Sequence, residues 1–338
     1  EVEELWMFSK AVGIDLGTAN VLIYVKGEGV VMHEPSVVSI DAQTKKCLAV
    51  GQEAKDMLGR TPGRVLAIRP LKDGVIADFE VTEMMLQYFV RKLKLKGMFS
   101  RPTILICCPS NITSVERKAI SDAAYRAGAK RVYIEEEPKV AAIGAHLDIS
   151  KPTGSMVLDI GGGTTDVAIL SLGEIVTSTS LKVAGDRIDQ DLIKHVKDTY
   201  KLLIGDRTAE MIKMNIATAW LDDVAELETQ VMSVSGRDLV TGLPNTIQLR
   251  ADETEKAIHE SLQDIVRACR TVLEQTPPEL SADIVTRGIV LTGGGALLHG
   301  LDKLIMHELS IPVYVAENAL TCVAEGTGIM LENLDLVG

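Results

Sequence analysis

The sequence has 338 residues, of which 46% are hydrophobic and 24% are charged, and its formal net charge is −12. This length exceeds that of one average domain, and the composition is typical of a globular protein with two cores. The acidic balance, without a lysine and arginine stripe interleaved with aromatic residues, argues against nucleic acid as a partner.

An acidic hairpin opens the first half of the chain, which we take from Met7 to about residue 150. Apolar runs at residues 12–14 and 21–25 predict two strands joined by the turn "DLGTAN". The segments "EPSVVSI" and "KCLAVG" predict further strands. A helix is expected over residues 82–95, where apolar side chains recur at i, i+3, i+4 and i+7.

Alternating strands and helices complete the first half. The strand "TILICCP" precedes the helix "SVERKAISDAAYRAG", in which Thr113 and Glu116 have the spacing of a capping box. The strand "RVYI" and a helix from Pro138 follow. This order predicts an α/β fold in which helices cover a sheet with parallel pairs. The five cysteines lack CxxC spacing and the six histidines lack HExxH spacing, which argues against zinc.

The second half repeats the opening hairpin as "MVLDIGGGTTDVAIL", where Asp159 follows Asp15 by 144 positions (159 − 15). A duplicated domain is the simplest interpretation. The pattern then predicts a long helical stretch over residues 186–220, a polar loop over 222–228 and a β-hairpin formed by "QVMSVSGRDL" and "NTIQL". A helix over 253–274 and the strand, turn and helix of "RGIVLTGGGALLHGLDKLI" follow.

The two hairpin turns predict a phosphate-binding clamp. Each offers backbone N–H donors on flexible glycines, and the predicted donors are Gly17, Thr18, Ala19 and Asn20 in the first turn and Gly161, Gly162, Gly163 and Thr164 in the second. Asp15 and Asp159 repel a bare phosphate, so we expect them to hold a hydrated Mg²⁺, through its waters. Neither a Walker loop nor a dinucleotide fingerprint is present. A single such turn is more often a plain hairpin turn, and the matching pair favours the clamp.

Taken together, these segments resemble the ATPase superfamily of actin, heat-shock chaperones and sugar kinases. The chain is similar nearly end to end to the MreB family of bacterial actins, and closest to its Mbl-type members. The resemblance is carried by "GIDLGTANVLIYVKGEGVV", "RPLKDGVIADFE", "EEPKVAAIG", "DIGGGTTDVAI", "AGDRID", "IGDRTAEMIK", "GRDLVTGLP" and "RGIVLTGGGALL".

The resemblance implies an actin-like ATPase fold with two duplicated domains around a nucleotide cleft that binds ATP or ADP with Mg²⁺. Domain I is expected over residues 7–150, with a small subdomain inserted at about 33–75. Domain II is expected over 151–310, with a small subdomain at about 186–250. Residues 311–338 are expected to return to domain I.

Site residues carried over from the family fall on matching positions. Glu137 is implied to orient the attacking water and Thr165 to help hold it. Glu210 and Lys213 are implied to contact the base and ribose, and the opposite wall to consist of Gly293, Gly294, Gly295 and Ala296. Asp166 stands where many relatives have glutamate. Slow hydrolysis is expected, because the matching motifs contain no lysine or arginine finger.

The segment "VRKLKLKGMFSRP" combines basic residues with two apolar side chains, Met98 and Phe99. This pattern predicts shallow insertion into an anionic membrane, which the resemblance favours over the alternative that both side chains fold back into the core.

The family resemblance also implies a cytoplasmic filament protein at the inner face of the cytoplasmic membrane. Its implied partners are further copies of itself in paired protofilaments, the membrane, and cell-wall elongation proteins. The alternatives from the same superfamily are a chaperone, a small-molecule kinase, or a nucleotide-binding scaffold without hydrolysis.

Overall fold

The first half of the chain builds a five-stranded, a three-stranded and a two-stranded sheet. A computed structural model describes residues 10–60, 63–93, 101–110, 112–221 and 230–334. The strands of the first half are β1 (Ala11–Leu16), β2 (Asn20–Val25), β3 (Gly29–Pro35), β4 (Val38–Asp41), β5 (Cys47–Val50), β6 (Val65–Ile68), β7 (Leu71–Lys72), β8 (Val75–Ile76), β9 (Thr103–Cys108) and β10 (Arg131–Glu136). Its helices are α1 (Gln52–Met57), α2 (Phe79–Lys92), α3 (Ser114–Arg126) and α4 (Glu137–Gly144).

The second half contains the remaining elements. Its strands are β11 (Ser155–Ile160), β12 (Thr165–Ser171), β13 (Glu174–Leu181), β14 (Leu202–Leu203), β15 (Val231–Asp238), β16 (Pro244–Arg250), β17 (Ile289–Thr292) and β18 (Val313–Val315). Its helices are α5 (Gly185–Tyr200), α6 (Asp206–Asn215), α7 (Ala251–Glu274), α8 (Pro278–Arg287), α9 (Leu301–Leu309) and α10 (Cys322–Leu334), with a 3₁₀ turn at Gly294–Leu297. No helix among the described residues is long and apolar enough to cross a membrane.

Both halves contain a five-stranded sheet with the same topology. The strand orders are β10-β9-β1-β2-β3 and β18-β17-β11-β12-β13. In each sheet the central strand pairs in parallel with one neighbour, β9 or β17, and antiparallel with the other, β2 or β12. The equivalence places Asp15 and Asp159 at matching positions on β1 and β11, as a duplicated fold requires.

A smaller sheet accompanies each large one, in the order β5-β4-β6 in the first half and β14-β15-β16 in the second. The predicted hairpin in the second half is confirmed as β15 and β16, which pair antiparallel. The predicted capping box of α3 is also present, since Thr113 Oγ1 accepts from the Glu116 N–H at 3.2 Å and Glu116 Oε2 accepts from the Thr113 N–H at 2.9 Å.

A shared apolar core joins the two large sheets. It contains Leu105 and Cys107 of β9, Val157 of β11 and Ala168 of β12, together with side chains of α4 and α10. Helix α10 packs against α4, β1 and β2, whereas β18 still pairs within the second sheet. The chain therefore reaches the first sheet again with α10, and the domain limits given above stay a prediction.

The predicted long helical stretch over residues 186–220 is wrong. Helix α5 ends at Tyr200, Lys201 adopts a left-handed conformation with φ 53°, and β14 pairs with β15 before α6 begins. No glycine or proline marks the break at Lys201, so the local sequence favours continued helix. Pairing of Leu202 with Asp238, distant in sequence, overrides that preference.

Close packing of α4 against α10 depends on glycine. A Cβ atom on Gly326 would lie 2.1 Å from the Val140 carbonyl oxygen, and one on Gly144 would lie 1.8 Å from the Cys322 carbonyl oxygen. Both clashes are with backbone, which no side-chain rotation relieves. The two helices therefore approach each other only because these positions lack a side chain.

We expect Gly326→Ala to lower the free energy of unfolding by on the order of 2 kcal/mol, because the helices must separate to admit the methyl group. Urea unfolding followed by circular dichroism measures this. The control is Gly63→Ala, where no atom of the described residues beyond the adjacent chain neighbours lies within 4 Å of the added Cβ. Equal stability of the two variants would contradict the packing argument.

Candidate functional site

A cleft of about 870 Å³ lies between the two halves, and both acidic hairpin turns line it. The turns touch each other at its floor. A Cβ atom on Gly162 would lie 2.5 Å from Ala19 Cβ, and one on Gly163 would lie 2.6 Å from Thr18 Oγ1. Glycine is required at these two positions because any side chain would push the halves apart.

The structure brings most of the predicted site residues to this cleft. Those that line it are Asp15, Gly17, Thr18, Ala19, Asn20, Glu137, Asp159, Gly161, Gly162, Gly163, Thr164, Glu210, Lys213, Gly293, Gly294 and Gly295. They come from β1, β11, α4, α6 and the turn after β17, so sequence segments far apart converge on one space.

Two predicted residues lie behind the wall of the cleft. Thr165 is fully buried, and its hydroxyl donates to the Val183 carbonyl oxygen at 2.6 Å. Ala296 is 2% exposed and packs in the core of the second half. Neither lines the cleft, because the Thr165 hydroxyl is turned to the Val183 carbonyl oxygen and Ala296 packs in the core. Met98 and Phe99 lie outside the described residues.

The floor of the cleft concentrates buried carboxyl groups. Burial, together with the charge of Asp159, raises the pKa of Asp15 to about 7. Burial raises the pKa of Glu137 well above its ordinary value, and the charges of Asp166, Asp15 and Asp159 raise it further. The pKa of Asp159 is also raised by burial, although Thr292 Oγ1 donates to Asp159 Oδ1 at 2.8 Å. A cation in this position would relieve the mutual repulsion.

Basic side chains lie at the mouth of the cleft and are already paired. Lys55 Nζ lies 2.9 Å from Glu210 Oε2, and Arg69 Nη1 lies 3.2 Å from Asp186 Oδ1. Both pairs link the first half to the second. These two, together with Lys213, are the lysines and arginines among the described residues that line the cleft.

Lys213 is held inside the second half. Its Nζ donates to Asp189 Oδ2 at 2.8 Å and to the Gly185 carbonyl oxygen at 3.1 Å. A polyanion in the cleft must therefore be held mainly by backbone N–H groups and a bound cation. The turns with their acidic ends provide for both.

An apolar wall at one end of the cleft was missed by the sequence analysis. It contains Met214, Ile216, Leu297 and Leu320, and beside them Thr218 Oγ1 lies 2.9 Å from His299 Nδ1. This surface suits a flat aromatic ring with polar edges. The sequence contained one signal for these residues, which is that they lie close to predicted site residues. Met214 directly follows the predicted Lys213, and His299 lies within "GGGALLHG".

The contact of a third segment, the turn between β7 and β8, with both hairpin turns was also missed by the sequence analysis. The Gly74 N–H in the tight turn between β7 and β8 donates to Thr18 Oγ1 at 3.0 Å. A Cβ atom on Gly74 would lie 2.6 Å from Thr164 Cγ2. One short turn therefore contacts the acidic hairpin turns of both halves.

The raised pKa of Asp15 makes stability depend on pH. Its folded pKa of about 7 exceeds the ordinary 3.8, so the folded protein binds more protons than the unfolded chain between about pH 4 and 7. The contribution of this group to stability is full below pH 4 and is lost as pH rises through 7. We expect Asp15→Asn to raise the free energy of unfolding by on the order of 2 kcal/mol at pH 8, and by much less at pH 4.

Urea unfolding without nucleotide or divalent cation at both pH values tests this expectation. The control is Asp198→Asn on the exposed face of α5, which we expect to change stability by less than about 0.5 kcal/mol. A variant at Asp15 that is no more stable than the parent at pH 8 would refute the electrostatic account.

Comparison with known proteins places the chain in a family. Residues 9–338 match the family described as MreB/Mbl protein. The chain is 60% identical over 329 residues to the cell shape-determining protein Mbl of Bacillus subtilis (strain 168), covering 97% of this chain and 98% of that protein.

Solved structures match over the same extent. MreB5 of Spiroplasma citri, crystallised bound to AMPPNP, has a TM-score of 0.92 and 39% identity over 97% of this chain and 98% of its own. The double helical filament of MamK has a TM-score of 0.81 at 21% identity, over 96% of this chain and 99% of its own, which is a likeness of fold. The predicted α/β, actin-like fold is thereby confirmed. The chain belongs to the MreB/Mbl family.

Proposed function

We propose that this protein binds ATP with Mg²⁺ in the cleft, hydrolyses it slowly to ADP and phosphate, and assembles into membrane-associated filaments that organise cell-wall synthesis and cell shape. The observation that carries the proposal is the contact of two glycine turns across the cleft, each following a buried aspartate. The binding of AMPPNP by a relative with 39% identity supports nucleotide as the ligand.

The two turns suit the phosphates. Both turns line one cleft, and glycine permits the close approach that a phosphate requires. The predicted donor Gly161 is an exception, because its N–H already donates to the Thr164 carbonyl oxygen at 2.9 Å. The apolar wall with Met214 and Leu320 suits the base, and Glu210 and Lys213, which also line the cleft, would contact the base and ribose.

Magnesium suits the acidic floor. Among the described residues, no three side chains of histidine, cysteine, aspartate or glutamate are grouped closely enough to coordinate a metal directly. Asp15 and Asp159 would therefore hold Mg²⁺ through its waters, as this ion commonly binds when phosphates complete its shell. When bound, the ion neutralises charge on the phosphates and the two carboxylates.

Glu137 is the best-placed residue to orient the attacking water. It is the first residue of α4, is 8% exposed, and lines the cleft beside the two turns. Phosphoryl transfer needs a positioned water more than covalent chemistry from the protein. We expect hydrolysis to be slow because the three basic residues at the cleft, Lys55, Arg69 and Lys213, form ion pairs with carboxylates and so do not neutralise the phosphates.

Filament assembly and a role in cell shape follow from family membership. A relative 60% identical over nearly the full chain is a cell shape-determining protein. ATP binding is coupled to assembly if the contacts between filament subunits favour the closed state of the cleft. Any contact that prefers one state of the cleft shifts the equilibrium between the open and closed states toward it.

We expect the unaltered protein to pellet and form filaments in negative-stain micrographs with ATP and Mg²⁺, and to release phosphate. Glu137→Gln should bind ATP and pellet, but release phosphate on the order of 10²-fold more slowly, because the water is no longer oriented by a carboxylate. Phosphate release and sedimentation are measured together.

The matched control is Glu136→Gln, the adjacent glutamate at the end of β10, which does not line the cleft. Its phosphate release should stay within about twofold of the parent. If the protein stays monomeric under every nucleotide and lipid condition, the filament proposal is wrong. If both variants lose phosphate release to the same extent, the role proposed for Glu137 is wrong.

Membrane association rests on the sequence of residues 90–102. Arg91, Lys92, Lys94 and Lys96 precede Met98 and Phe99 in a protein of net charge −12. Basic residues next to exposed apolar ones bind anionic lipid by charge and by shallow insertion.

We expect Met98→Ser with Phe99→Ser to abolish flotation with vesicles that contain phosphatidylglycerol, because the inserted apolar surface is lost. The control is Leu172→Ser with Val176→Ser, which removes two exposed apolar side chains elsewhere, 65% and 41% exposed. Flotation of the first variant at the level of the unaltered protein would exclude this segment as the anchor.

A further inference from the structure

Two segments of the second half are joined at the apolar wall of the cleft, and they hold His299 in place. Thr218 and His299 form an isolated parallel β-bridge, and the Ala219 N–H donates to the His299 carbonyl oxygen at 2.8 Å. The next residue, Gly300, has φ 73°, and a Cβ atom on it would lie 2.7 Å from Trp220 Cβ. The backbone of His299 is therefore fixed by the bridge on one side and by this close packing on the other.

The hydroxyl group of Thr218 assigns the proton on the His299 ring. Thr218 is 1% exposed, and its Oγ1 donates to the Trp220 carbonyl oxygen at 2.9 Å. The His299 Nδ1 atom lies 2.9 Å from the same Oγ1. Because a hydroxyl has one proton and two lone pairs, an Oγ1 that donates to the carbonyl can only accept from Nδ1. The neutral imidazole then carries its proton on Nδ1 and keeps a lone pair on Nε2.

The opposite arrangement, with the hydroxyl proton on Nδ1, places like partners together. The Thr218 Oγ1 atom would then face the Trp220 carbonyl oxygen at 2.9 Å, and the His299 carbonyl oxygen at 3.4 Å, with no proton between the oxygens. Oxygen atoms that present only lone pairs to each other at such distances repel. The network therefore favours the tautomer with a free acceptor at Nε2.

The Nε2 atom lies on the open side of the ring. His299 is an exposed residue that lines the cleft together with Leu297 and Met214 of the apolar wall. Because the Nδ1 edge is turned toward the buried Thr218 hydroxyl, the Nε2 end of the ring is left on the side of the cleft. A hydrogen-bond acceptor thus stands at the edge of a surface that suits a flat ring.

An acceptor in this place can distinguish the two classes of natural purine. Adenine carries an amino group at its 6-position, which donates, whereas guanine carries a carbonyl oxygen there, which accepts. Hypoxanthine has the same 6-oxo group as guanine. The Nε2 lone pair attracts the first kind of edge and repels the second.

We propose that His299 makes the cleft selective for 6-amino over 6-oxo purine nucleotides, by accepting a hydrogen bond at Nε2 from the 6-amino group. Thr218 acts in this selection as a positioning residue, because its hydroxyl fixes the tautomer of the His299 ring. The inference rests on the proposed nucleotide binding, and it specifies which edge of the base this chain recognises.

Calorimetric titration with ADP and with inosine diphosphate (IDP), each with Mg²⁺ at pH 8, tests the proposal. The two nucleotides differ only at the 6-position and the adjacent N1 of the base. We expect the unaltered protein to bind ADP about fivefold more tightly than IDP, which is the effect of one hydrogen bond at a partly open site. Equal Kd values for the two nucleotides would overturn the proposal.

His299→Asn separates the two edges of the ring. The asparagine amide can still donate to Thr218 Oγ1 from the place of Nδ1, but it has no atom in the place of Nε2. We expect the Kd for ADP to rise about fivefold and the Kd for IDP not to rise, so that the preference disappears. His299→Phe keeps a flat ring without either nitrogen and should lose the preference in the same way. A role in packing alone would instead weaken both nucleotides equally and preserve their ratio.

Thr218→Val tests the positioning role. Valine keeps the shape of threonine but cannot accept from Nδ1, so the imidazole can carry its proton on either nitrogen. The preference for ADP should fall to about twofold, and an unchanged fivefold preference would overturn the role of Thr218. The matched control is His307→Asn, which alters an exposed histidine that packs on the Trp220 ring at 4.9 Å between centroids and does not line the cleft. Both Kd values of this control should equal those of the unaltered protein.

Failure of this inference and failure of the proposed function give different results. If the unaltered protein binds ADP and IDP equally well, nucleotide binding stands and only the selection by His299 fails. If it binds neither nucleotide, the proposed function fails and this inference with it.

Discussion

Everything at the centre of this structure depends on burying several carboxyl groups at one point between two sheets. Asp15, Glu137, Asp159 and Asp166 each have a raised pKa, with burial as the leading cause. Such an arrangement opposes folding unless something offsets the charge. The proposed nucleotide with Mg²⁺ would do so, and because it would bind only the folded state, its stabilisation would grow with the logarithm of its concentration over its Kd. The feature that destabilises the free protein is therefore the one that would make it respond to the proposed ligand.

Duplication explains why the acidic turn occurs twice. Each central strand, β1 or β11, ends in an aspartate followed by a glycine-containing turn, and each sits in a sheet of the same order. One such hairpin offers donors to only one side of a phosphate chain. Two of them, brought into contact through Gly162 and Ala19, would surround it in the proposed complex, and Asp15 and Asp159 both line the same cleft. A symmetric pair of sheets thus produces a site that neither half forms alone.

Local patterns predicted those parts of the fold that local interactions determine. The two hairpins, the capping box at Thr113 and the order of strands and helices from β9 to α4 follow from apolar periodicity and capping chemistry. The break at Lys201 depends on the pairing of Leu202 with Asp238, a distant segment, which periodicity does not encode. Strands β3 and β13 were missed although each pairs with the strand directly before it across a short turn. Among site residues, the glycines and aspartates were predicted because their types are chemically distinctive. Met214 and Leu320 were missed because an apolar side chain facing a cleft resembles one facing the core.

The contacts between the halves differ in strength, and this difference sets how the cleft opens. At the back, Val157, Ala168 and Val140 belong to a fully buried apolar core that spans both sheets and includes α4 and α10. At the mouth, the pair of Lys55 and Glu210 and the pair of Arg69 and Asp186 are each about one third exposed, and exposed ion pairs contribute about 0–1 kcal/mol. Opening at the mouth therefore costs far less than separation at the back, so a rotation of the halves would be centred on the α4 and α10 region. Glu137 is the first residue of α4, and such a rotation would move it relative to the turns. A motion that admitted the proposed nucleotide would thereby alter the position of the residue proposed to orient the attacking water.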